Sequence, residues 1–190
     1  YNAGMENIIL IGMPASGKST AGVLLAKTVG YGYIDTDLLI QSEERALLCD
    51  IIAREGAEGF IRIEERVNAA LWADRCVIAT GGSVVYGEKA MEHLKAMGKV
   101  VYLKAGIEEL KKRLADKDIF RRGVVMRKRG ETLEELYAER APLYEKYPGQ
   151  DPRAAKLHFK LRPQLSAGRC DHHEGRALLP SRKIRVQKPC

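Results

Sequence analysis

The chain alternates short apolar runs with longer stretches of helical spacing. Residues 7–12 (Asn-Ile-Ile-Leu-Ile-Gly) form a continuous apolar run closed by glycine, the pattern of a strand buried on both faces. Lys18–Val29 follows with apolar residues at helical intervals, and Gly30 closes it. Residues 33–35, 76–79 and 100–103 predict three more strands. Residues 38–55 predict one or two helices. Residues 57–74 predict another, with Phe60, Ile63, Val67, Ala70 and Leu71 on one side. Helices are also expected at 88–97 and 107–114. The capping box Thr132-x-x-Glu135 opens a helix over 133–147. Trp72 and His93, placed on these helices, read as packing and surface residues. Strands alternating with helices predict an α/β chain: a three-layer αβα fold around a central parallel sheet, with no internal repeat. Residues 116–130 are polar, basic and aperiodic, and so long a structureless segment reads as an active-site lid.

The length of 190 residues suits one domain and a tail, here residues 5–148 and 149–190. Tyr1 to Gly4 precede Met5 and stand outside the fold reading. The net charge of +7 sharpens the division. Residues 1–148 carry 22 Lys/Arg against 22 Asp/Glu, while 149–190 carry 10 against 3. The whole excess lies in the tail, so residues 1–148 give no sign of a nucleic-acid surface. Three readings of the tail stay open: a disordered basic segment, an out-of-frame translation of a lost strand and helix, or a polyanion-binding arm. Residues 156–161 could form one edge strand. No apolar run approaches the ~18 residues of a membrane span, and the start lacks the pattern of a signal peptide. Cys49, Cys76, Cys170 and Cys190 show no CxxC spacing and read as incidental thiols. A cytoplasmic monomer is the expectation.

Chemistry enters at Gly12-Met-Pro-Ala-Ser-Gly17-Lys18-Ser19, which fits G-x-x-x-x-G-K-[ST] without mismatch. The loop follows a predicted strand and opens a predicted helix. Main-chain amides from Gly12 through Ala15, Ser16 and Gly17 to Thr20 are expected to wrap a triphosphate. Lys18 should reach the β- and γ-phosphates, and Ser19 should offer a hydroxyl to Mg²⁺. Asp35-Thr36-Asp37 ends the second strand, at the sheet edge where open parallel sheets bind ligands. One aspartate can hold Mg²⁺ through water and the other can accept a hydrogen bond or proton from an acceptor hydroxyl. The same residues could instead form an Asx turn capping the next helix.

With Phe60-x-x-x-Glu64, Gly81-Gly82, a basic segment around Arg122 and Arg140-Ala-Pro-Leu-Tyr144 added in order, residues 5–147 resemble the shikimate kinases of the nucleoside-monophosphate-kinase-like P-loop group. The resemblance implies ATP- and Mg²⁺-dependent transfer of the γ-phosphoryl to a hydroxyl of a small anionic metabolite. It implies Asp35 near the metal and Asp37 on the acceptor hydroxyls. Glu64, Gly81 and Gly82 would lie beside the substrate, with Arg140 on its carboxylate. Arg122 would come from the lid as a catalytic residue, and Arg113 would lie near adenine.

Three motifs depart from the family pattern. Phe-Arg becomes Phe60-Ile61, so one implied carboxylate-binding arginine is apolar. Arg62, next door, is turned about 100° around the helix. Gly-Gly-Gly becomes Gly81-Gly82-Ser83, and Arg-Pro-Leu becomes Arg122-Gly123-Val124. From the residues alone, Glu64 and Arg140 could be a structural ion pair, and Arg121, Arg122, Arg127, Lys128 and Arg129 a solvated loop. Other acceptors fit too: a different hydroxy acid, a sugar acid or a hydroxy amino acid. Two non-enzymatic readings also remain, an ATP-binding protein without catalysis and a nucleic-acid binder acting through the tail.

Overall fold

The structure is a computed structural model that describes residues 6–114, 123–128, 130–147 and 185–186. In chain order its elements are β1 (Asn7–Ile11), α1 (Lys18–Val29), β2 (Gly32–Asp35), α2 (Thr36–Glu44), α3 (Leu48–Ala69), β3 (Leu71–Trp72), β4 (Cys76–Ala79), a 3-10 turn (Val84–Tyr86), α4 (Glu88–Met97), β5 (Gly98–Tyr102), α5 (Ile107–Leu114), α6 (Leu133–Glu145) and β6 (Arg185–Val186). Four parallel strands make the central sheet in the order β2-β4-β1-β5.

The run at β1 is apolar throughout because both of its faces are covered. Leu10 packs with Ala21 and Ala26 of α1, Val77 and Leu103 on one side. Ile9 and Ile11 point the other way, into a larger cluster with Ile34, Ile78, Met91, Leu94, Leu110, Leu136 and Tyr144. Each fully buried isoleucine or leucine contributes about 2 kcal/mol. A third cluster joins α2 and α3 through Ile40, Leu48, Ile51, Phe60, Ile61 and Val67, and takes in Val125 from the segment before α6.

Strand–turn–helix order puts the ends of β1, β2 and β4 on one edge of the sheet. Arg45, in the left-handed region at φ 51°, ends α2. Gly56, at φ 70° and ψ 177°, breaks α3 where the sequence separates 38–55 from 57–74. The capping box at Thr132 and Glu135 forms as expected.

The helix predicted over 57–74 stops at Ala69. Leu71–Trp72 is instead the strand β3, antiparallel to β6. Ala70 and Leu71 continue the helical spacing, but the buried Leu71 side chain serves a strand equally well, and His93 Nε2 lies 2.7 Å from the Leu71 carbonyl. Trp72 is therefore not a helical packing residue; it lies on β3, 62% exposed. The proposed edge strand at 156–161 and most of the tail lie outside the described residues.

Candidate active site

Residues 12–17 carry the chain from β1 into α1. Gly12 has φ 148° and Gly17 φ 98°, both in the region that favours glycine. A side chain at Gly12 would also meet the Leu103 carbonyl oxygen at 2.7 Å. Ala15 shares the left-handed region at φ 61°, a strained setting for a non-glycine residue. Gly17 is the N-cap of α1 and no side chain caps that helix, so the first-turn N–H groups stay open toward an anion. Ser16 Oγ is buried without a partner beside them. Lys18 folds back over the loop, donating through Nζ to the carbonyls of Gly12 (2.8 Å) and Met13 (2.9 Å). Burial pulls its pKa down to about 8, against the opposing charges of Asp37 and Asp35, so it stays mostly protonated at pH 7. Arg113 Nη1 reaches the rim of the loop at the Ala15 carbonyl (3.0 Å) while its Nε pairs with Glu109 (2.9 Å). These residues fit a nucleotide triphosphate: the loop offers unfilled N–H groups, a buried hydroxyl and a cation around one turn.

Asp35 uses its two carboxylate oxygens separately, and the cap of the next helix forms as the Asx-turn reading has it. Oδ1 accepts from the Asp37 amide (3.1 Å) and caps α2. Oδ2 faces α1 and accepts from Ser19 Oγ (2.9 Å) and the Tyr33 hydroxyl (3.1 Å). A hydroxyl and a carboxylate so joined at the mouth of a phosphate loop suit a hard divalent cation such as Mg²⁺. Asp37 sits two residues further along, in the first turn of α2. Its pKa is pushed up to about 6, chiefly by burial and then by the charge of Asp35, with Lys18 opposing.

The other side of the site is built from α3, the turn after β4, and α6. Glu64 is buried in α3. Its Oε2 accepts from Ser83 Oγ, and its Oε1 has no hydrogen-bond partner. Burial, then the charge of Asp37, raises its pKa to about 8, which makes it mainly a neutral acid at pH 7. Gly81 is the meeting point of the two carboxyls: a methyl added there would overlap Glu64 Oε1 and come within 2.8 Å of Asp37 Oδ1. Arg140 is wholly buried. It donates Nε to the Tyr86 hydroxyl (3.1 Å) and Nη2 to the Val125 carbonyl (2.6 Å), while Nη1 is unpartnered next to Gly82. Arg140 and Glu64 form no ion pair. Tyr144, four residues along the same face of α6, donates its hydroxyl to the Gly82 carbonyl.

Lys18, Ser19, Asp37, Glu64, Arg113 and Arg140 are among the residues lining one cavity of about 480 Å³, whose lining does not include Asp35. Arg122 lies outside the described residues, as do Arg121 and Arg129. Arg127 turns away into ion pairs with Glu58 (3.0 Å) and Glu139 (3.2 Å), as the solvated reading has it.

Sequence reading passed over Thr36 and Ser83 as functional residues. Thr36 is fully buried and its Oγ1 accepts from the Gly81 amide (3.3 Å), tying the end of β2 to the turn after β4. Its one signal was its place between the two aspartates. Gly81→Ala is expected to raise the acceptor KM by at least about tenfold with little change in the KM for ATP, because the methyl enters the space between the carboxyls. Separate titrations of the two substrates in an ADP-release assay check this.

The family model for shikimate kinase matches residues 14–155. The chain belongs to the shikimate kinase family. A shikimate kinase of Clostridium botulinum (strain Langeland) is 41% identical over 143 residues, spanning 75% of this chain and 84% of that relative. Shikimate kinase 2 of Yersinia enterocolitica is 34% identical over 142 residues, spanning 74% and 82%. Among solved structures, a shikimate kinase from Acinetobacter baumannii in complex with shikimate has TM-score 0.63 at 28% identity, covering 75% of this chain and 80% of that one. The family is one of ATP-dependent phosphotransferases with an alcohol acceptor, and this chain is a kinase acting on shikimate or a similar small hydroxylated substrate. Its fold is the nucleoside-monophosphate-kinase-like P-loop fold of that family. Among the described residues no helix is long and apolar enough to cross a membrane.

Proposed function

We propose that residues 5–148 form a monomeric cytoplasmic kinase domain that phosphorylates one hydroxyl of a carboxylated polyol of the shikimate type. The observation that carries this is Arg140, a buried guanidinium with a free Nη1 in the cavity that also holds the phosphate loop and two carboxyls. A buried cation with an unused N–H arm is costly unless an anion completes it.

In this reading the amides of Gly12, Ala15, Ser16, Gly17, Lys18, Ser19 and Thr20 hold the triphosphate, and Arg113 lies along the nucleotide. Ser19 and Asp35 would hold Mg²⁺, which when bound would offset charge on the phosphate oxygens. Lys18 exchanges the Gly12 and Met13 carbonyls for those oxygens. Arg140 Nη1 takes the acceptor carboxylate beside Gly82, and Asp37, with Glu64 and Gly81, orients the acceptor hydroxyl. The hydroxyl oxygen attacks the γ-phosphorus in line. The bond to the β–γ bridging oxygen breaks, ADP leaves, and the hydroxyl proton passes to the Asp37 carboxylate. Arg122 enters this scheme only from the family resemblance, as the lid residue over the transferring phosphoryl.

The test is an ADP-release assay on the full chain with shikimate, other hydroxy acids, sugar acids and hydroxy amino acids. Turnover confined to substrates without a carboxylate would sink the reading. Ile61 gives a sharper expectation. It is buried against Phe60 and Val125 in the third cluster, and Arg62 beside it is exposed and does not replace an inward-facing arginine. Ile61→Arg is expected to lower the shikimate KM by about tenfold, the worth of a second charge-assisted arm on a carboxylate. Equal shikimate kinetics with and without the change would refute it.

A further inference from the structure

Glu64 is a buried carboxyl with a single anchor. Three groups with charge or titratable protons face it from neighbouring helices: Lys18 from α1, Asp37 from α2, and Arg140 from α6, with Tyr144 of α6 close by. None of them bonds to it. The residue one turn earlier on its own helix face, Ile61, is apolar and brings no cation. The one hydrogen bond to the Glu64 carboxyl comes from Ser83, a 3%-exposed residue in the turn after Gly82. A glutamate carries three side-chain torsions and loses up to about 2 kcal/mol of rotamer freedom when fixed. A carboxyl anchored at one oxygen keeps its orientation only while that anchor holds.

We propose, resting on the acceptor role of these groups, that Ser83 is a positioning residue of the acceptor site: its hydroxyl pins Glu64 Oε2 so that Oε1 faces the acceptor alcohol beside Asp37. The geometry at Gly81 is the second observation behind it. Oε1 is unpartnered, and it fills the place a side chain at Gly81 would take, close to Asp37 Oδ1. The two carboxyl oxygens come from separate helices, and Asp37, Glu64 and Gly81 all line the cavity. The Asp37 amide is held by Asp35 Oδ1 at the start of α2, whereas the Glu64 carboxyl itself is held by the Ser83 hydroxyl. The Ser83 backbone has its own duty: its carbonyl accepts from the Tyr86 amide (3.0 Å) and so sets the turn that presents the Tyr86 hydroxyl to Arg140. An alanine leaves that bond in place and removes only the hydroxyl.

The test uses the full chain. Ser83→Ala is expected to raise the acceptor KM about tenfold, leave the KM for ATP unchanged and leave the melting midpoint within a few degrees. Ser83→Thr, which keeps the hydroxyl, is expected to return the acceptor KM close to the starting value. In a Glu64→Gln background, adding Ser83→Ala is expected to change the acceptor KM no further, since the two residues act as one unit. If Ser83→Ala does not fold, Ser83→Gly removes the same hydroxyl with no added volume. A second readout needs no acceptor. In protein carrying carboxyl-¹³C glutamate, the Glu64 signal, identified by its loss in Glu64→Gln, is expected to titrate at higher pH in Ser83→Ala, because the Ser83 hydrogen bond favours the charged form. An unchanged acceptor KM, an effect of Ser83→Ala that persists undiminished beside Glu64→Gln, or an unmoved titration would each overturn the proposal. Wild-type protein that turns over none of the acceptors would defeat the acceptor reading instead, and the titration alone would then decide whether Ser83 holds Glu64.

Discussion

Lys18→Met is expected to lower phosphoryl transfer by about 10³-fold or more while the chain stays folded. The loss follows from what the ammonium is placed to do. It is buried against the turn that receives the triphosphate, and its bonds to the Gly12 and Met13 carbonyls keep it there until phosphate oxygens replace them. A preorganised cation aimed at developing charge is worth about 10²–10³ in kcat even as a single donor. This one lies in a cavity that screens little. The fold survives because the ammonium is itself a burden on folding. Its pKa in the folded chain is below that of the unfolded chain, so the unfolded state binds more protons between pH 8 and pH 10.5. The cost is therefore full below pH 8 and fades as pH rises toward 10.5. Methionine removes a cost on the order of 2–3 kcal/mol and forfeits two hydrogen bonds to carbonyls. The melting midpoint should stay within a few degrees, read by circular dichroism beside the ADP-release assay. Retained transfer in a folded Lys18→Met chain would defeat the kinase mechanism.

Asp37→Asn is the second large effect: kcat is expected to fall about 10²–10⁴-fold, with the thermal midpoint rising by several degrees at pH 7. The two changes share one cause. Burial and the neighbouring Asp35 hold the carboxyl at about 6, well above 3.8, so the folded state binds the extra proton between those values. Stability from this group is present below pH 3.8, declines as pH rises through 6, and is fully lost above it. At pH 7 the ionised carboxylate is thus a cost on the order of 2 kcal/mol that an amide does not carry. The wild-type kcat/KM should correspondingly drop as pH falls through about 6, and that acid limb should vanish from the residual activity of the variant. A variant less stable than wild type, with its acid limb intact, would assign Asp37 a structural role only.

The sheet was readable in the sequence because a strand covered on both faces leaves a run with no polar interruption, and β1 and β4 are such runs. The break at Gly56 and the cap at Thr132 were readable because backbone conformation there depends on single residue types. β3 was not. Two residues of strand have no period, and Leu71 suits the end of an amphipathic helix as well as it suits a strand. The phosphate loop is written in consecutive residues, so its function was visible before its shape. The acceptor side is written in partners far apart in sequence: Tyr86 with Arg140, Ser83 with Glu64, and Thr36 with Gly81. Periodicity carries no information about which hydroxyl meets a carboxyl 19 residues away or a guanidinium 54 residues away. Glu64 and Arg140 therefore read as a possible pair in the sequence, and in the fold each turns to other partners.

Arg140 also joins the acceptor groups to another part of the molecule. One arm of its guanidinium grips the Val125 carbonyl, and Gly123, Val124 and Val125 line the same cavity as the phosphate loop. A carboxylate arriving at the remaining arm would draw on the same delocalised charge and shift the grip on Val125. Occupancy on the acid side would thereby be felt through one planar group at Val125, which packs against α2 and α3. Thermodynamic reciprocity then demands that whatever factor the acid exerts on nucleotide affinity, the nucleotide exerts on the acid.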